Sequence, residues 1–406
     1  MTRFLCIVSP QHGHINPTLA VVQELVERGD TVIFYATEQF RPSIEATGAI
    51  FRGYTSIVTR RWAHMVYTSD DPRDNPFIRM GHETIEECNH VIPQIRDDAA
   101  GHDADYILYD TVPGKMLAEL LHLPAIQLYT TYALNQQFNP MVAQLLSLAT
   151  GPTAQAFLEV NQAFDDFRAS YQLPPLPFSS LLDRVEPLNI VFIPRTLQPL
   201  QENFDHRFTF VGHSVRPRFS PPGFPLEKLG QHPLLYISLG TIFSTHHQLA
   251  FIRDCFRAFR GSDWLVIQSI GKEIERAQLE PIPENFLVYQ HVPQLEVLQQ
   301  TDVFITHGGM NSTLEALYYG IPLVVVPQMP EQEMTAQQLA RRGLAIHLAK
   351  ADLTADLLQK TVMQAHTDPT FRANAQAMQT IMRASGGYVE AANTIQRFVE
   401  SKNSNT

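Results

Sequence analysis

The sequence predicts an α/β protein of two domains, each built on a parallel sheet. The chain has 406 residues, more than one hydrophobic core usually accommodates. Short apolar runs alternate with segments of helical periodicity along most of its length, which is typical of parallel sheets with helical crossovers. A proline-rich segment interrupts this alternation near the middle of the chain and reads as a linker, with Pro217, Pro221, Pro222, Pro225 and Pro233.

The chain begins with a predicted strand, helix and strand. Residues 4–9 form an apolar run, and Asn16 and Pro17 have the residue types of a helix N-cap and first helical position. Gly29 is placed to end that helix, and residues 31–36 form the next strand. Further strands are predicted at 106–109, 125–129, 234–238, 264–268, 286–289, 303–306 and 323–326, and helices around 116–121 and 388–400.

Composition limits the function classes. There are 41 acidic and 30 basic residues, a formal charge of −11, which argues against a nucleic-acid-binding surface but not against a small anionic ligand. Cys6, Cys88 and Cys255 are far apart and form no CxxC motif, so reduced thiols in a cytoplasmic protein are expected. The N-terminus has no signal-peptide pattern, and no apolar stretch is long enough to insert stably into a membrane.

His14 is a candidate general base. The stretch His12-Gly13-His14-Ile15-Asn16-Pro17 follows the first predicted strand, and ligands of open α/β sheets bind beyond the carboxyl ends of strands. Histidine has a pKa near neutrality, which suits proton transfer. The sequence equally allows another interpretation, in which Gly13 makes a tight turn and His14 only packs against the helix start. A metal pair of His12 and His14 is disfavoured, because no third ligand lies nearby in sequence.

Asp110 follows the predicted strand 106–109 and is a candidate partner for His14. An aspartate at the end of a strand can accept the ring N–H of a histidine and orient it. The alternative is an aspartate that only caps the next turn. Asp103 and Asp105 have the spacing of a metal-binding carboxylate pair but precede a strand, so they are expected in a solvated turn.

The most specific motif is Thr306-His307-Gly308-Gly309-Met310-Asn311-Ser312-Thr313-Leu314-Glu315. A predicted strand ends in a glycine pair and a helix follows at once. Glycine lets the backbone approach a ligand closely, and the helix N-terminus favours an anion, so this segment predicts a pyrophosphate site. His307 is suited to donate to a phosphate oxygen. The competing reading is a capping box of Ser312 and Glu315, which does not require the preceding His-Gly-Gly.

Weaker signals follow other strands of the second half. Ser238-Leu239-Gly240-Thr241 is a strand–glycine–hydroxyl turn suited to phosphate oxygens. Val292 and Gln294 follow a further strand. Glu331 and Gln332 carry donors and acceptors suited to sugar hydroxyls, although a polar loop before a helix would look the same. Neither a phosphate-binding P-loop motif nor a GxGxxG motif after a strand occurs.

With these motifs the chain resembles the GT-B glycosyltransferases of family 1, and in particular bacterial macrolide- and flavonoid-type glucosyltransferases. The likeness covers nearly the whole chain and includes Tyr109-Asp110 and Phe210-Val211-Gly212. It implies two Rossmann-like domains whose parallel sheets face a central cleft. The implied organisation is an acceptor-binding domain at 1–212, a linker at 213–232, a nucleotide-sugar-binding domain at 233–382, and a C-terminal helix that packs back on the N-terminal domain, with a tail, at 383–406.

The resemblance also implies the roles of individual residues. His14 would be the general base and Asp110 its orienting partner. The donor pyrophosphate would be bound by Thr241 and His307 with the backbone around Ser238, Gly240, Gly309, Asn311, Ser312 and Thr313. Glu315 would hold the ribose hydroxyls, Gln294 the nucleobase, and Glu331 with Gln332 the transferred sugar. Many relatives have tryptophan before Val292, where this chain has His291, so stacking on uracil is expected to be weaker.

The implied activity is inverting, metal-independent transfer of a hexose, foremost glucose from UDP-glucose, to a hydroxyl of a small lipophilic acceptor. No cofactor beyond the nucleotide-sugar co-substrate is expected. A nucleotide-sugar epimerase and a catalytically silent auxiliary protein of the same fold remain as alternatives. The aromatic-rich stretch 134–182 has two readings, an ordinary core or the lining of an acceptor pocket, with Phe138, Met141, Phe157, Phe164, Phe167 and Tyr171.

Overall fold

The computed structural model describes residues 1–57, 75–139, 147–148, 150–183, 185–216, 224–240 and 245–404. It divides into two compact units. The N-terminal unit comprises Met1–Ser214 together with Gly386–Thr406, and the C-terminal unit comprises Val215–Ser385. The chain therefore passes from one unit to the other twice, and its last helix belongs to the first unit.

The N-terminal unit contains a seven-stranded parallel sheet of order β3-β2-β1-β4-β5-β6-β7. Its strands are β1 (Arg3–Ile7), β2 (Thr31–Ala36), β3 (Ile50–Gly53), β4 (Tyr106–Tyr109), β5 (Ala125–Tyr129), β6 (Leu188–Val191) and β7 (Phe208–Phe210). Its helices are α1 (His12–Glu27), α2 (Arg41–Glu45), α3 (Pro76–Ala100), α4 (Val112–Leu120), α5 (Ala154–Ser170) and α6 (Ser179–Asp183), with a C-terminal helix at Gly387–Asn403.

Both faces of this sheet are buried, which explains the continuous apolar character of its strands. Along β1, Leu5 and Ile7 join one hydrophobic cluster, whereas Phe4 and Cys6 join another. Successive side chains of a strand point to opposite faces, so the two clusters cover the two sides of the sheet. The register aligns Cys6 with Phe34 of β2 and with Leu108 of β4. The carboxyl ends of β1 and β4 therefore lie side by side.

The C-terminal unit contains a six-stranded parallel sheet of order β10-β9-β8-β11-β12-β13. Its strands are β8 (Leu234–Ser238), β9 (Leu265–Ser269), β10 (Phe286–Tyr289), β11 (Val303–Thr306), β12 (Leu323–Val325) and β13 (Ala345–His347). Its helices are α7 (Thr245–Phe259), α8 (Gln294–Leu298), α9 (Met310–Tyr318), α10 (Pro330–Arg341), α11 (Ala355–Thr367) and α12 (Pro369–Ala384), so that the C-terminal helix is α13. Because β8 and β11 are neighbours, the two glycine turns that follow them meet at one edge.

Every strand predicted from the sequence is present, with ends that agree within two residues. Four strands were not predicted: β3, β6, β7 and β13. Each has only three or four residues, too few for an alternating pattern to stand out. Three of the four lie at a sheet edge, where pairing with one neighbour rather than a long apolar run keeps them in place.

Helix α1 begins at His12, so the prediction that it starts at Asn16-Pro17 is wrong. The N–H groups of His14 and Ile15 already donate to the Gln11 carbonyl, at 3.0 and 2.9 Å. Pro17 lies in the second turn of α1, where it removes the backbone bond that residue 17 would otherwise donate to the Gly13 carbonyl. His14 consequently lies in the first helical turn rather than in a loop.

The three cysteines are buried and unbridged. No helix in the described ranges combines the length and the apolar character needed to cross a membrane.

Candidate active site

His14 and Asp110 are in direct contact in the N-terminal unit. His14 lies in the first turn of α1, and Asp110 follows β4 immediately. The Nδ1 atom of His14 is 2.6 Å from Oδ2 of Asp110, within charge-assisted hydrogen-bond distance. The His14 side chain is 32% exposed and that of Asp110 only 3%, so the histidine is accessible while the carboxylate behind it is buried.

Asp110 is held by both of its carboxylate oxygens. Oδ2 accepts from His14, and Oδ1 accepts from the backbone N–H of Ser9 at 2.7 Å. Ser9 follows β1, the neighbour of β4, so the carboxylate spans the ends of two adjacent strands. A carboxylate that faces Nδ1 favours the tautomer with the proton on Nδ1, which leaves the lone pair on Nε2. This arrangement suits His14 to act as a base.

Thr130 also contacts the imidazole, and this contact was not predicted from the sequence. Its Oγ1 lies 3.2 Å from Nδ1 of His14, and it follows β5, the other neighbour of β4. The only signal in the sequence was a hydroxyl residue immediately after a buried strand. Residues from the ends of β4 and β5 therefore contact one imidazole ring.

The buried acids beside Asp110 stay neutral. Burial raises the pKa of the Cys6 thiol well above its ordinary value of 9.0, and the Asp110 charge raises it further. Burial likewise raises the pKa of the Tyr54 phenol, with further contributions from Glu87 and Asp110. Neither group is suited to lose a proton near pH 7. His12 lies apart from this dyad, with its ring edge-on to Phe40 at 5.0 Å between centroids.

In the C-terminal unit, α9 begins directly after the glycine pair. Gly309 is the N-cap, no side chain caps the helix, and the first helical hydrogen bond runs from the Thr313 N–H to the Gly309 carbonyl at 3.0 Å. The N–H groups of residues 310–312 thus have no partner within the helix. Ser312 is the third helical residue and Glu315 lies inside the helix, so the capping-box reading of this pair is wrong. The helix start instead has the form of an anion site.

His307 lies in a tight gap between two glycine turns. A Cβ atom on Gly240 would come within 2.8 Å of the His307 ring, and one on Gly309 would overlap its Nε2 atom. Burial lowers the pKa of His307 to about 4, only partly offset by a hydrogen bond to the Ser238 backbone. His307 is therefore neutral near pH 7, and its single ring N–H donates to the Ser238 backbone carbonyl.

Glu315 and Gln294 are hydrogen-bonded to each other. Glu315 is fully buried, and its two oxygens accept from the side-chain amides of Gln294 and Asn311. Tyr236 donates to Oε1 of Gln294 at 2.9 Å, and Gln294 also reaches the hydroxyl of Ser312 at 3.3 Å. These contacts join the ends of β8, α8 and α9.

Two polar atoms beside the start of α9 have no hydrogen-bond partner although they are buried. They are Oδ1 of Asn311 and the hydroxyl oxygen of Thr313. Buried polar atoms are normally satisfied, and the exceptions often mark a functional site. Both residues belong to the predicted pyrophosphate group.

The remaining predicted donor residues differ in how they are placed. His291 is exposed whereas Val292 is buried. Gln332, in the first turn of α10, is almost fully buried, and its side-chain oxygen accepts from the Gln328 N–H at 2.9 Å, which fixes the preceding loop. Glu331 is exposed in the first turn of α10. Ser238 ends β8, whereas Thr241 lies outside the described residues.

The aromatic stretch 134–182 is largely core. Phe157, Phe164 and Phe167 belong to one of the two clusters that cover the N-terminal sheet. Phe138 stacks edge-on with Phe204, and Met141 lies outside the described residues. For these buried rings the ordinary packing interpretation is correct.

Comparisons with known proteins agree with this architecture. The chain is 37% identical over 396 residues to the NDP-glycosyltransferase YjiC of Bacillus subtilis (strain 168), covering 96% of each sequence. It is 30% identical over 391 residues to the oleandomycin glycosyltransferase of Streptomyces antibioticus, covering 95% of this chain and 88% of that protein. The crystal structure of CalG4, the calicheamicin glycosyltransferase, matches 98% of both chains with a TM-score of 0.82 and 27% identity. Residues 262–397 match the family described as erythromycin biosynthesis protein CIII-like, C-terminal domain.

Proposed function

The chain belongs to the GT-B glycosyltransferases of the macrolide and natural-product type, and on that premise we propose that it moves glucose from UDP-glucose to a hydroxyl of a small lipophilic acceptor. We further propose that the transfer inverts the anomeric carbon and requires no metal ion. The observation that carries the proposal is the contact of 2.6 Å between His14 and Asp110. It supplies an oriented base in the unit that does not carry the predicted donor residues.

In the proposed step, Nε2 of His14 takes the proton of the acceptor hydroxyl. The acceptor oxygen bonds to the anomeric carbon as the bond from that carbon to the diphosphate oxygen breaks, and attack from the opposite side inverts the configuration. The leaving nucleoside diphosphate keeps the electron pair, and the proton stays on His14 as an imidazolium stabilised by Asp110. A positioned base of this kind contributes roughly 10²–10⁴-fold to the rate.

The charge that develops on the leaving diphosphate needs stabilisation, and the C-terminal unit has neutral donors for it. These are the N–H groups at the start of α9 and the buried hydroxyl of Thr313. Preorganised donors of this kind commonly supply a large part of a rate enhancement. This donor set supports transfer without a metal ion, with Thr241 as a further proposed contact.

UDP-glucose is proposed as donor on the basis of the nucleoside-binding network. Glu315 would accept from the ribose hydroxyls, and Gln294, fixed by Tyr236, would contact the nucleobase. His291 is exposed and has a flat ring on which the base can stack. Glu331 and Gln332 at the start of α10 would contact the glucose hydroxyls.

The test is a mass-spectrometric transfer assay with an excess of chelator. UDP-glucose, UDP-galactose, UDP-N-acetylglucosamine and TDP-glucose are each combined with macrolide, flavonoid, phenolic and terpenoid alcohols. The expected result is the gain of one hexose from UDP-glucose, with a β-linkage in the proton NMR spectrum of the product. Loss of transfer on adding chelator, or an α-linkage, would contradict the proposed mechanism.

The same assay separates the two alternatives. An epimerase would convert the donor in samples that contain no acceptor. A silent auxiliary protein would bind UDP and neither convert nor transfer the sugar. His14→Ala serves as the matched control, because it removes the base and changes no residue of the C-terminal unit.

A further inference from the structure

We propose that Thr130 is a positioning residue that fixes the orientation and the tautomer of the His14 imidazole. This inference rests on the proposed function, in which His14 is the base. It concerns a hydroxyl that contacts the ring at the same nitrogen as Asp110, but from a different strand.

The geometry places two acceptors at one ring nitrogen. Nδ1 of His14 lies 2.6 Å from Oδ2 of Asp110 and 3.2 Å from Oγ1 of Thr130. With the proton on Nδ1, its N–H donates to the carboxylate and is shared with the hydroxyl oxygen. With a single acceptor the imidazole could rotate about the Nδ1–Oδ2 axis. The second acceptor restricts that rotation.

The hydroxyl of Thr130 is itself well fixed. Thr130 is 6% exposed and follows β5, which is paired on both sides by β4 and β6. The Tyr129 carbonyl accepts from the Phe192 N–H at 2.9 Å. After the strand, the N–H and carbonyl of Ala133 both bond to the buried side chain of Gln198. Threonine also has few side-chain rotamers, so its oxygen has a defined position.

Chain placement gives Thr130 a role that Asp110 does not duplicate. The carboxylate of Asp110 accepts from the N–H of Ser9, which follows β1 on one side of β4. Thr130 follows β5, which lies on the other side of β4. The orientation of the ring therefore depends on both neighbours of β4, on β1 through the bond between Asp110 and Ser9, and on β5 through Thr130. When the imidazole gains a proton, the hydroxyl oxygen also stabilises the positive charge.

The test compares Thr130→Val, which removes the hydroxyl at similar volume, with Thr130→Ser, which retains it. We expect Thr130→Val to lower kcat about three- to tenfold, the loss of one ordinary hydrogen bond, without a change in the KM for the donor. Thr130→Ser should recover at least about half of the activity. Thermal unfolding of each variant confirms that the fold is intact.

Thr18→Val is the matched control. The Thr18 hydroxyl donates to the backbone carbonyl of His14 at 2.9 Å and is fully buried, so it contacts the same residue but not its ring. We expect its kcat to stay within about twofold of the wild type. An equal loss in Thr18→Val and Thr130→Val would overturn the inference, as would a Thr130→Val enzyme of wild-type kcat.

A second measurement does not depend on activity. Long-range ¹H–¹⁵N spectra of the ¹⁵N-histidine-labelled protein, assigned by comparison with His14→Ala, report which ring nitrogen of His14 carries the proton. We expect the Nδ1–H form in the wild type and a larger Nε2–H fraction in Thr130→Val. A wild type with the Nε2–H form, or identical spectra, contradicts the inference even if no transfer activity is found. Conversely, the expected spectra without transfer would leave the inference standing and reject the proposed function.

Discussion

Gly309 lies against the ring of His307 so closely that a methyl group on its Cα would overlap Nε2. A Cβ atom on Gly240, in the turn after β8, would meet the same Nε2–Cε1 side of the ring, at 2.8–2.9 Å. The two glycines are needed because the ring of His307 lies between the backbones of two turns. This relationship connects the glycine motif to the chemistry proposed for the donor diphosphate.

Gly309→Ala should therefore weaken nucleotide binding. The added methyl group must displace His307 or the start of α9, and either shift removes donors from the diphosphate. We expect the Kd for UDP, measured by isothermal titration calorimetry, to rise at least about tenfold. Gly101→Ala is the control, because a Cβ there meets only ordinary contacts at 3.4 Å and beyond. Unchanged UDP affinity in Gly309→Ala would count against the proposed diphosphate site.

Stability at mildly acidic pH should depend on His307. Its pKa of about 4 lies below the ordinary 6.5, so the unfolded chain binds the extra proton first as the pH falls. The contribution of neutral His307 to the free energy of unfolding is complete above pH 6.5 and is lost as the pH approaches 4. We expect the unfolding free energy of the wild type to fall by about 2–3 kcal/mol more over this range than that of His307→Gln. His232→Gln, at an exposed position, should behave as the wild type in urea titrations.

The dyad should show non-additive effects on the rate. We expect His14→Ala to lower kcat by about 10²–10⁴-fold with a nearly unchanged Kd for UDP. Asp110→Asn should cost at least about tenfold, because an amide no longer favours the Nδ1–H form. Because the two residues act as one unit, the double variant should be about as slow as His14→Ala alone. Multiplied losses in the double variant would show that the two side chains act independently.

Glu315 should discriminate between ribose and deoxyribose. If its carboxylate accepts from the ribose hydroxyls, the wild type binds UDP more tightly than 2′-deoxy-UDP. Glu315→Gln should lose that preference, and UDP affinity should fall about tenfold or more, since a hydrogen bond to a charged group is lost. Competition calorimetry with the two nucleotides measures this, and an unchanged preference in Glu315→Gln would reject the assignment. Glu331→Gln, at the exposed start of α10, serves as the control for nucleoside preference.

The sequence predicted most strands of both sheets and the contact between His14 and Asp110, because these features leave local signals. Buried parallel strands are runs of apolar residues, and His14 and Asp110 each follow such a run. The start of α1 was misplaced because Asn16 and Pro17 have the usual residue types of a helix start, whereas its first turn is formed by backbone bonds to Gln11. A residue pattern does not report such bonds.

Contacts between residues that are far apart in the sequence could not be predicted from local residue patterns. Thr130 is 116 residues from His14 and carries no motif of its own. Gln294 and Glu315 were each assigned a ligand contact, but their bond to each other depends on how α8 and α9 meet. The short edge strands likewise depend on pairing with a neighbouring strand. In each case the tertiary structure, not the local residue pattern, determines the contact.

The C-terminal helix has a consequence for how the protein is made. Ala391 and Ile395 of α13 are fully buried in the core of the unit that the first 214 residues build. Arg28, at the end of α1, donates to Asn393 and Gln396 of the same helix. During synthesis the ribosome delivers the second unit before this helix, so the first unit keeps an open apolar face until the helix has emerged. The unit encoded later is therefore able to finish folding first, and the helix then completes the earlier one.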